Sequence, residues 1–322
     1  MMTAIEMIRS GVFGVVTGDA LGCPVQFRTR EEVQALPVRS MRGHGTFDLP
    51  AGTWTDDSSL TLALLSAIAD TGDIDLKVVM DNFVDWLDNG GFTPFGESFD
   101  IGWGTMRSIR DYKRRHDPKR CGRDEVTSNG NGSLMRILPA CLYAHLKGLS
   151  DRDAMRLVSQ VGSLTHAHIR ANIACGLYYF MVQGILTGEG TLGEKLRQGL
   201  TRGFKWYDET LYDCGDDLLC YARLRDPDVF AAVPESGIRS TGYVVDTLEA
   251  AVWCLLTTFT FEDALLKAVN LGYDTDTVGA VTGGLAGLHY GFDAIPSAWL
   301  SELQRRDWID GICRRAAQAL EG

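Results

Sequence analysis

Two short segments near opposite ends of the chain concentrate side-chain oxygens that could bind a cation. The first holds Thr55, Asp56 and Asp57, and the second holds Asp274, Asp276 and Thr277. Carboxylate and hydroxyl oxygens are the ligands that Mg²⁺ and Mn²⁺ prefer, and aspartates crowded together without a cation would repel one another. These residues therefore indicate a divalent-metal site, provided that the fold brings the two segments together.

Each acidic segment precedes a stretch with helical spacing of apolar residues, at 58–70 and 277–290. A helix N-terminus favours carboxylates, because its first N–H groups have no partner within the helix and the helix dipole is positive there. Asp and Thr are also ordinary N-cap residues, so capping explains either segment taken by itself. A cap needs one side chain, whereas each segment supplies three or four oxygens. The two segments together favour metal binding.

Helical periodicity runs through most of the chain, and the alternation typical of strands is nearly absent. It predicts helices over 4–20, 58–70, 75–88, 103–115, 133–147, 151–160, 166–187, 193–206, 243–258, 262–271, 277–290 and 308–320. No linker or fixed-period repeat divides the chain. We therefore expect an all-α protein with residues 1–322 in one domain.

Two of these helices carry glycine at every third or fourth position. The first stripe is Gly11, Gly14, Gly18 and Gly22, and the second is Gly279, Gly283, Gly287 and Gly291. Each glycine inside a helix costs roughly 1 kcal/mol relative to alanine, so close packing must offset the loss. We expect the two helices to touch in the interior and to bring the first and last quarters of the chain together.

Composition describes an acidic globular protein. Of its 322 residues 45% are hydrophobic, and the formal net charge of −11 argues against nucleic acid as a partner. No apolar run is long enough to span a membrane. The eight cysteines include no Cys-x-x-Cys pair, so we expect free, buried thiols in a cytoplasmic protein. A basic stretch at 113–123 could dock an acidic partner, although a solvated surface loop is the simpler interpretation.

Five motifs occur in an order that resembles one protein family. They are Gly18-Asp19-Ala20-Leu21-Gly22, Thr53-Trp54-Thr55-Asp56-Asp57, Phe99-Asp100-Ile101-Gly102, Gly130-Asn131-Gly132-Ser133-Leu134-Met135-Arg136 and Gly272-Tyr273-Asp274-Thr275-Asp276-Thr277-Val278-Gly279. Each motif is weak alone, but their number and order make the joint match specific. From about residue 8 to about residue 292 the chain resembles the ADP-ribosylglycohydrolases, including the dinitrogenase-reductase-activating glycohydrolases.

The resemblance implies a single compact domain of orthogonal helices around two Mg²⁺ or Mn²⁺ ions. It implies an enzyme that removes ADP-ribose from a modified protein side chain, with arginine favoured, or from another ADP-ribose conjugate. The family's metal ligands correspond to Thr55, Asp56, Asp57, Asp274, Asp276 and Thr277. Asp100 matches a position linked to catalysis in the nitrogenase-regulating branch, and we expect Asp57 to act with it. Substrate contacts correspond to Asn129, Gly130, Asn131, Gly132, Ser133, His166 and Tyr243.

Several of these positions also have simpler structural explanations. Asp100 could cap the helix expected at Trp103, residues 129–132 could form an ordinary turn, and Tyr243 could belong to the core. His166 and His168 have His-x-His spacing but lack further zinc ligands, so a capping or surface role is simpler. The glycine-rich turn before Ser133 could cradle a phosphate at the start of a helix.

One position departs from the family pattern. The family commonly has a glutamate shortly after Gly-Asp-Ala-Leu-Gly, whereas this chain has Gln26 in Pro24-Val25-Gln26-Phe27. An amide cannot accept a proton as a carboxylate does, so we expect Gln26 to contact the substrate and Asp100 to act as the base. Two alternatives remain open. The protein could bind ADP-ribose without cleaving it, or it could be a metal-dependent phosphohydrolase that attacks the pyrophosphate.

Overall fold

Most helices begin and end near the positions that the periodicity predicts. The computed structural model describes residues 2–210 and 215–321. Within these residues the α-helices are α1 (Ala4–Gly22), α2 (Arg30–Ala35), α3 (Asp56–Thr71), α4 (Leu76–Asn89), α5 (Trp103–Arg115), α6 (Leu138–Leu146), α7 (Asp151–Gly162), α8 (Ile169–Thr187), α9 (Leu192–Thr210), α10 (Gly215–Leu219), α11 (Pro227–Ala231), α12 (Val244–Leu256), α13 (Phe261–Val269), α14 (Thr275–Tyr290), α15 (Ser297–Glu302) and α16 (Arg306–Glu321). No β-strand forms in the same residues, which confirms the all-α prediction.

Helices α1 and α14 cross with their backbones in direct contact. A Cβ atom on Gly14 would lie 2.1 Å from the carbonyl oxygen of Gly283, and one on Gly283 would lie 2.1 Å from that of Gly14. Gly18 and Gly279 face each other in the same way, at 2.0 and 2.4 Å. The predicted contact between the first and last quarters is confirmed. Gly291 does not take part, because its φ of +82° ends α14 instead.

The remaining helices surround this pair and share one hydrophobic core. Helices α12 and α13 pack on α14, while α3 and α16 pack on α1 and on each other. Every residue of α14 from Thr275 to Leu288 is buried. A helix that is buried on all sides needs a neighbour on every face, which places α14 in the middle of the molecule. The acidic segment at its N-terminus is therefore also central.

The start of α3 is held from α1. Thr55 is the N-cap of α3, and its hydroxyl accepts the N–H of Asp57 at 3.4 Å. Asp19, on α1, accepts the N–H groups of Thr55 and Ser58 at 3.0 Å and the Ser58 hydroxyl at 2.5 Å. Because both N–H groups belong to the first turn of α3, Asp19 acts as a second cap supplied by another helix.

Two helices begin later than the periodicity predicts. The helix expected over 133–147 is α6, which starts only at Leu138, with a proline in its first turn. The helix expected over 166–187 is α8, which starts at Ile169 because the His168 side chain caps it by accepting the N–H of Arg170 at 3.2 Å. The short helices α2, α10, α11 and α15 escape detection, since five or six residues carry too little periodicity.

The predicted free thiols are confirmed for the described residues. These are Cys23, Cys121, Cys141, Cys175, Cys220, Cys254 and Cys313, and all but Cys220 are buried. The eighth, Cys214, lies outside the described residues. In the described ranges, no helix combines the length and the apolar character needed to cross a membrane.

Replacing Gly283 with alanine should lower the free energy of unfolding by about 3 kcal/mol, because the new methyl group would overlap the backbone of α1. Gly311→Ala is the matched control. Gly311 lies inside α16 with nothing within 4 Å of its would-be Cβ, so alanine there should raise stability by about 0.5–1 kcal/mol. Urea denaturation measures both values. Equal stability of the two variants would contradict the α1–α14 backbone contact.

Candidate active site

The two acidic segments meet in the centre of the protein. The Oδ2 atom of Asp57 lies 3.3 Å from the hydroxyl of Thr55 and 3.3 Å from the hydroxyl of Thr277, which is 220 residues further along the chain. Both hydroxyls donate to the same carboxylate oxygen. A Cβ atom on Gly22 would lie 2.4 Å from the backbone nitrogen of Asp276, so the close approach of α1 also positions the second segment.

The aspartates of this cluster are buried and short of hydrogen-bond donors. Asp56, Asp57 and Asp276 are 6%, 1% and 0% exposed. Among the described residues, Oδ1 of Asp57 and both oxygens of Asp276 meet no N–H or hydroxyl donor. Burial raises the pKa of all three well above the ordinary value, and neighbouring carboxylates raise it further. Buried carboxylate oxygens without donors fit a divalent cation, which would supply the missing positive charge.

The cluster is not a finished metal centre. In the part of the chain that the structure describes, no three His, Cys, Asp or Glu side chains are already gathered so as to hold a metal ion. The oxygens brought together come from threonine as well as aspartate. The predicted pair of ions therefore stays a prediction, supported by the donor types and their burial.

Two amide side chains border the cluster. Asn131 donates to Oδ2 of Asp274 at 2.5 Å and to the hydroxyl of Thr247 at 2.9 Å. Gln26 is 4% exposed; burial raises the pKa of Asp100 and Asp274, and the neighbouring Gln26 side chain partly opposes that increase. A glutamate at position 26 would add a further negative charge here. Gln26 instead supplies a neutral donor between two carboxylates.

Asp100 reaches the cluster from the loop before α5. Its φ of +52° lies in the left-handed region, which non-glycine residues rarely adopt. The N-cap residue of α5 is Gly102, and no side chain caps that helix. The carboxyl group of Asp100 instead faces Asp276 and Gln26. The capping alternative for Asp100 is wrong, and the unusual backbone turns this carboxyl group towards the other acids.

A backbone pairing joins the Gln26 loop to the start of α14. The N–H of Phe27 donates to the carbonyl of Tyr273 at 2.6 Å, and the N–H of Tyr273 donates to the carbonyl of Arg28 at 2.7 Å. Phe27 and Tyr273 both have positive φ angles, +67° and +62°. Gln26 precedes Phe27 and Asp274 follows Tyr273. The pairing of these two backbone segments therefore places the side chains of Gln26 and Asp274 beside each other.

A cavity of about 320 Å³ opens onto the cluster. Of the predicted site residues, it is lined by Gln26, Asp56, Asp100, Gly130, Asn131, Gly132, His166, Asp274 and Thr277. Thr55, Asp57 and Asp276 lie beneath this lining. Phe27 and Trp103 also line the cavity and are 64% and 66% exposed, so they form an aromatic rim that the sequence did not single out.

The glycine-rich turn is held by backbone hydrogen bonds to the segment before α12. The N–H of Asn131 donates to the carbonyl of Gly242 at 3.1 Å, and the N–H of Val244 donates to the carbonyl of Asn129 at 3.0 Å. Ser133 points away from the cavity and is fully buried, with the Cys175 thiol 3.6 Å from its hydroxyl. The helix expected to start at Ser133 starts instead at Leu138, so this turn does not lie at a helix N-terminus, and its predicted contact with phosphate stays a prediction.

Asn129 and Tyr243 lie next to the cavity without lining it. The Asn129 side chain donates to the carbonyl of Val126 at 2.7 Å. The Tyr243 hydroxyl accepts a hydrogen bond from Arg170 at 3.1 Å. Asn129 thus bonds within its own loop and Tyr243 bonds to α8, and their predicted contact with substrate stays a prediction.

Comparison with known proteins decides the family. The family model described as ADP-ribosylglycohydrolase matches residues 2–322. The chain belongs to the ADP-ribosylglycohydrolase family. This membership confirms the resemblance carried by the five motifs and, with it, the predicted enzyme class of glycohydrolase.

Relatives of this glycohydrolase match along nearly its whole length. It is 28% identical to the ADP-ribosylarginine hydrolase Tri1 of Serratia proteamaculans, over 97% of this chain and 79% of that protein. It is 31% identical to the ADP-ribosyl-[dinitrogen reductase] glycohydrolase of Rhodospirillum rubrum, over 95% of this chain and 92% of that protein. A solved structure titled ADP-ribosylglycohydrolase-related protein complex superposes with a TM-score of 0.79 and 28% identity, over 99% of both chains.

In this glycohydrolase, His166 ends a chain of buried polar side chains that the sequence did not reveal. Arg136 is fully buried and donates to the Thr165 hydroxyl at 2.8 Å. That hydroxyl lies 2.9 Å from Nδ1 of His166, and when it donates its own proton to Nδ1 the ring hydrogen resides on Nε2. Burial, helped by the charge of Arg136, lowers the pKa of His166 to about 3. A Cβ atom on Gly130 would lie 3.5 Å from Nε2, so this nitrogen faces the cavity turn.

His166 should make stability fall as the pH drops. The unfolded chain takes up a proton on this residue near pH 6.5, whereas the folded state does so only near pH 3, so the free energy of unfolding decreases through that window and is unaffected above it. His166→Gln should remove this part of the slope in urea denaturation at a series of pH values. His44→Gln, on an exposed loop, is the control. Parallel pH profiles for wild type and His166→Gln would contradict a buried neutral imidazole.

Proposed function

We propose that this chain is a metal-dependent hydrolase that cleaves the glycosidic bond between ADP-ribose and a modified protein side chain, with arginine favoured. The observation that carries the proposal is the cluster of buried aspartates beneath a cavity bordered by amide and imidazole groups. The relatives named ADP-ribosylarginine hydrolase and ADP-ribosyl-[dinitrogen reductase] glycohydrolase support the substrate class. A cytoplasmic location is part of the same proposal.

Two Mg²⁺ or Mn²⁺ ions would be held by Thr55, Asp56, Asp57, Asp274, Asp276 and Thr277. Cations in such a site orient sugar hydroxyls and make water more acidic. Asp57 already accepts hydrogen bonds from Thr55 and Thr277, so its carboxylate is fixed in orientation. The donor-free oxygens of Asp276 and Asp57 support a cation among these groups.

Asp100 is the proposed general base. Glycosidic cleavage passes through an oxocarbenium-like transition state that needs an activated water and negative charge near the sugar. Burial raises the pKa of Asp100, and a base works best when its pKa lies closer to the working pH. Its left-handed backbone holds the carboxyl group at the cavity wall. Asp57 would act with it by placing negative charge below the position where positive charge develops.

Neutral donors would bind the rest of the ligand. The Nε2–H of His166 would donate to a phosphate or hydroxyl oxygen without adding charge to the cavity, and the Asn131 amide, whose two hydrogens go to Asp274 and Thr247, would keep the Asp274 carboxylate in place. Gln26, beside Asp100 and Asp274, would place a neutral amide between two carboxyl groups. These donors are fixed before the ligand arrives, because backbone and buried side chains hold them, and pre-organised donors lose little entropy on binding.

A second candidate function is ADP-ribose binding without cleavage. Gln26 favours it, because the family commonly has a carboxylate where this chain has an amide. Metal-dependent cleavage of the pyrophosphate would use the same oxygens. Product analysis separates the three functions: intact ADP-ribose indicates a glycohydrolase, AMP indicates a phosphohydrolase, and binding without any product indicates a binder.

ADP-ribosyl-arginine incubated with the protein and Mg²⁺ should release intact ADP-ribose, and excess chelator should slow this release by at least about 100-fold. Mg²⁺ should also raise the melting temperature, with a larger increase at higher pH. Because the pKa values of Asp56, Asp57 and Asp276 are raised in the folded protein, the metal-free protein loses stability as the pH rises and these groups ionise. A cation binds the ionised forms, so the increase in melting temperature grows with pH. Unchanged turnover in chelator together with no thermal shift would contradict the metal site.

Asp100→Asn should lower kcat by about 10²–10⁴-fold while leaving binding of free ADP-ribose within a few-fold, because the amide keeps the shape but cannot accept a proton. Asp307→Asn, on the exposed side of α16, is the matched control. Release of ADP-ribose under saturating substrate gives kcat, and calorimetry gives the affinity. Turnover at the wild-type rate by Asp100→Asn would remove Asp100 from the mechanism.

A further inference from the structure

Helix α5 carries a basic stripe that begins at the catalytic cavity. Trp103, Arg107, Arg110 and Arg114 follow one another at helical spacings of four, three and four residues, and all four are exposed. The stripe is about 16 Å long at the rise of an α-helix. Trp103 lines the catalytic cavity, and the guanidinium of Arg107 stacks over its ring at 5.5 Å from the ring centre. The stripe therefore starts at the mouth of the candidate active site.

A surface cleft of about 540 Å³ runs beside this stripe, and we call it the α5 cleft. It is lined by Arg107, Arg110, Asp111, Lys113, Arg114, Arg115 and Arg123, which are six basic side chains and one carboxylate. The whole chain carries a formal net charge of −11. Cations gathered on one face of an acidic protein repel one another, and an anionic partner would offset that repulsion.

Only part of this charge is neutralised within the protein. Arg114 and Arg123 share Asp111, Arg123 also pairs with Glu125, and Lys113 pairs with Asp88. In contrast, Arg107, Arg110 and Arg115 form no salt bridge with any described residue. Arginine presents a planar, bidentate donor that matches carboxylates, so the free arginines are suited to acidic side chains.

The position of the α5 cleft identifies the kind of partner. If ADP-ribose on a protein side chain enters the cavity, the surface of that protein must lie against the rim around Trp103, where the stripe begins. The basic stripe extends for only about 16 Å. A long nucleic acid would extend beyond it onto a surface whose overall charge is negative, whereas an acidic patch on a protein can match a stripe of this length.

We propose that the α5 cleft binds an acidic surface of the protein whose ADP-ribosylated side chain is cleaved. This inference rests on the proposed function for its substrate. Helix α5 would then determine which targets are chosen. Its N-terminus borders the candidate active site, and the basic stripe selects targets whose modified residue lies near acidic side chains. The cavity alone would then treat a free ADP-ribosyl amino acid and any accessible modified protein alike.

The test compares three substrates with two double variants. The substrates are free ADP-ribosyl-arginine and two ADP-ribosyl-arginine peptides of equal length, one with Asp and Glu on both sides of the modified residue and one with Asn and Gln. Arg107→Gln with Arg110→Gln removes two free charges of the stripe. Arg152→Gln with Arg156→Gln, two exposed arginines four residues apart on α7, is the matched control.

At low salt, the wild type should cleave the acidic peptide with a kcat/KM about tenfold above that of the neutral peptide, through a lower KM. The Arg107/Arg110 variant should lose most of this preference and keep its activity on free ADP-ribosyl-arginine, while the control variant keeps both. Salt at about 0.5 M should remove the preference by screening. Equal KM values for the two peptides in the wild type, or an unchanged preference in the Arg107/Arg110 variant, would overturn the proposal.

Binding of the unmodified acidic peptide, measured by fluorescence anisotropy, separates this inference from the proposed function. If the wild type cleaves none of the three substrates, the proposed function fails, whereas acidic-peptide binding that weakens about fivefold in the Arg107/Arg110 variant still supports the α5 cleft as the docking surface. No binding, or tighter binding of a short single-stranded oligonucleotide than of the peptide, overturns the inference.

Discussion

The structure depends on holding several carboxyl groups close together and away from water. Burial and mutual repulsion raise the pKa values of Asp56, Asp57 and Asp276, and burial raises the pKa of Asp19 to about 7 despite the hydrogen bonds that it accepts. Such a cluster opposes folding unless protons or cations neutralise it. The surrounding structure offsets this unfavourable free energy by holding each aspartate through a different part of the fold. The carboxyl groups therefore cannot turn outwards into solvent and stay positioned for catalysis.

Two contacts hold the cluster together. The glycine contact between α1 and α14 brings backbones within touching distance, and its last member, Gly22, lies against Asp276. Asp19, on the same helix, accepts the free N–H groups at the start of α3. Helix α1 therefore positions both acidic segments, although it supplies none of the proposed metal ligands. This explains why its Gly-Asp-Ala-Leu-Gly motif belongs with the acidic motifs of the family.

The sequence predicts the helical fold and the acidic floor of the site, because both depend on local patterns: apolar periodicity, glycine spacing and clustered oxygens. It predicts less where the outcome depends on backbone conformation or on distant partners. The sequence also allows Asp100 to cap a helix, and the structure instead places it in the cavity lining with a left-handed φ. In the chain of contacts from Arg136 through Thr165 to His166, Arg136 lies 29 residues before Thr165 and His166 follows Thr165 directly. No spacing rule predicts these contacts. The buried side chain of Ser133, beside the Cys175 thiol, is likewise not predictable from its motif.

The hydrogen bond between Thr277 and Asp57 spans 220 residues and has a consequence for how the protein is made. A ribosome releases α1 and α3 long before it reaches α14, so a growing chain exposes the glycine face of α1 and the first acidic segment with nothing to cover either. The active centre can form only when synthesis is nearly complete, because a chain that ends before α14 lacks Asp274 and Asp276. Chains that end before α14 are thus inactive, because they lack the second acidic segment. They also expose apolar surface that cellular quality control can recognise.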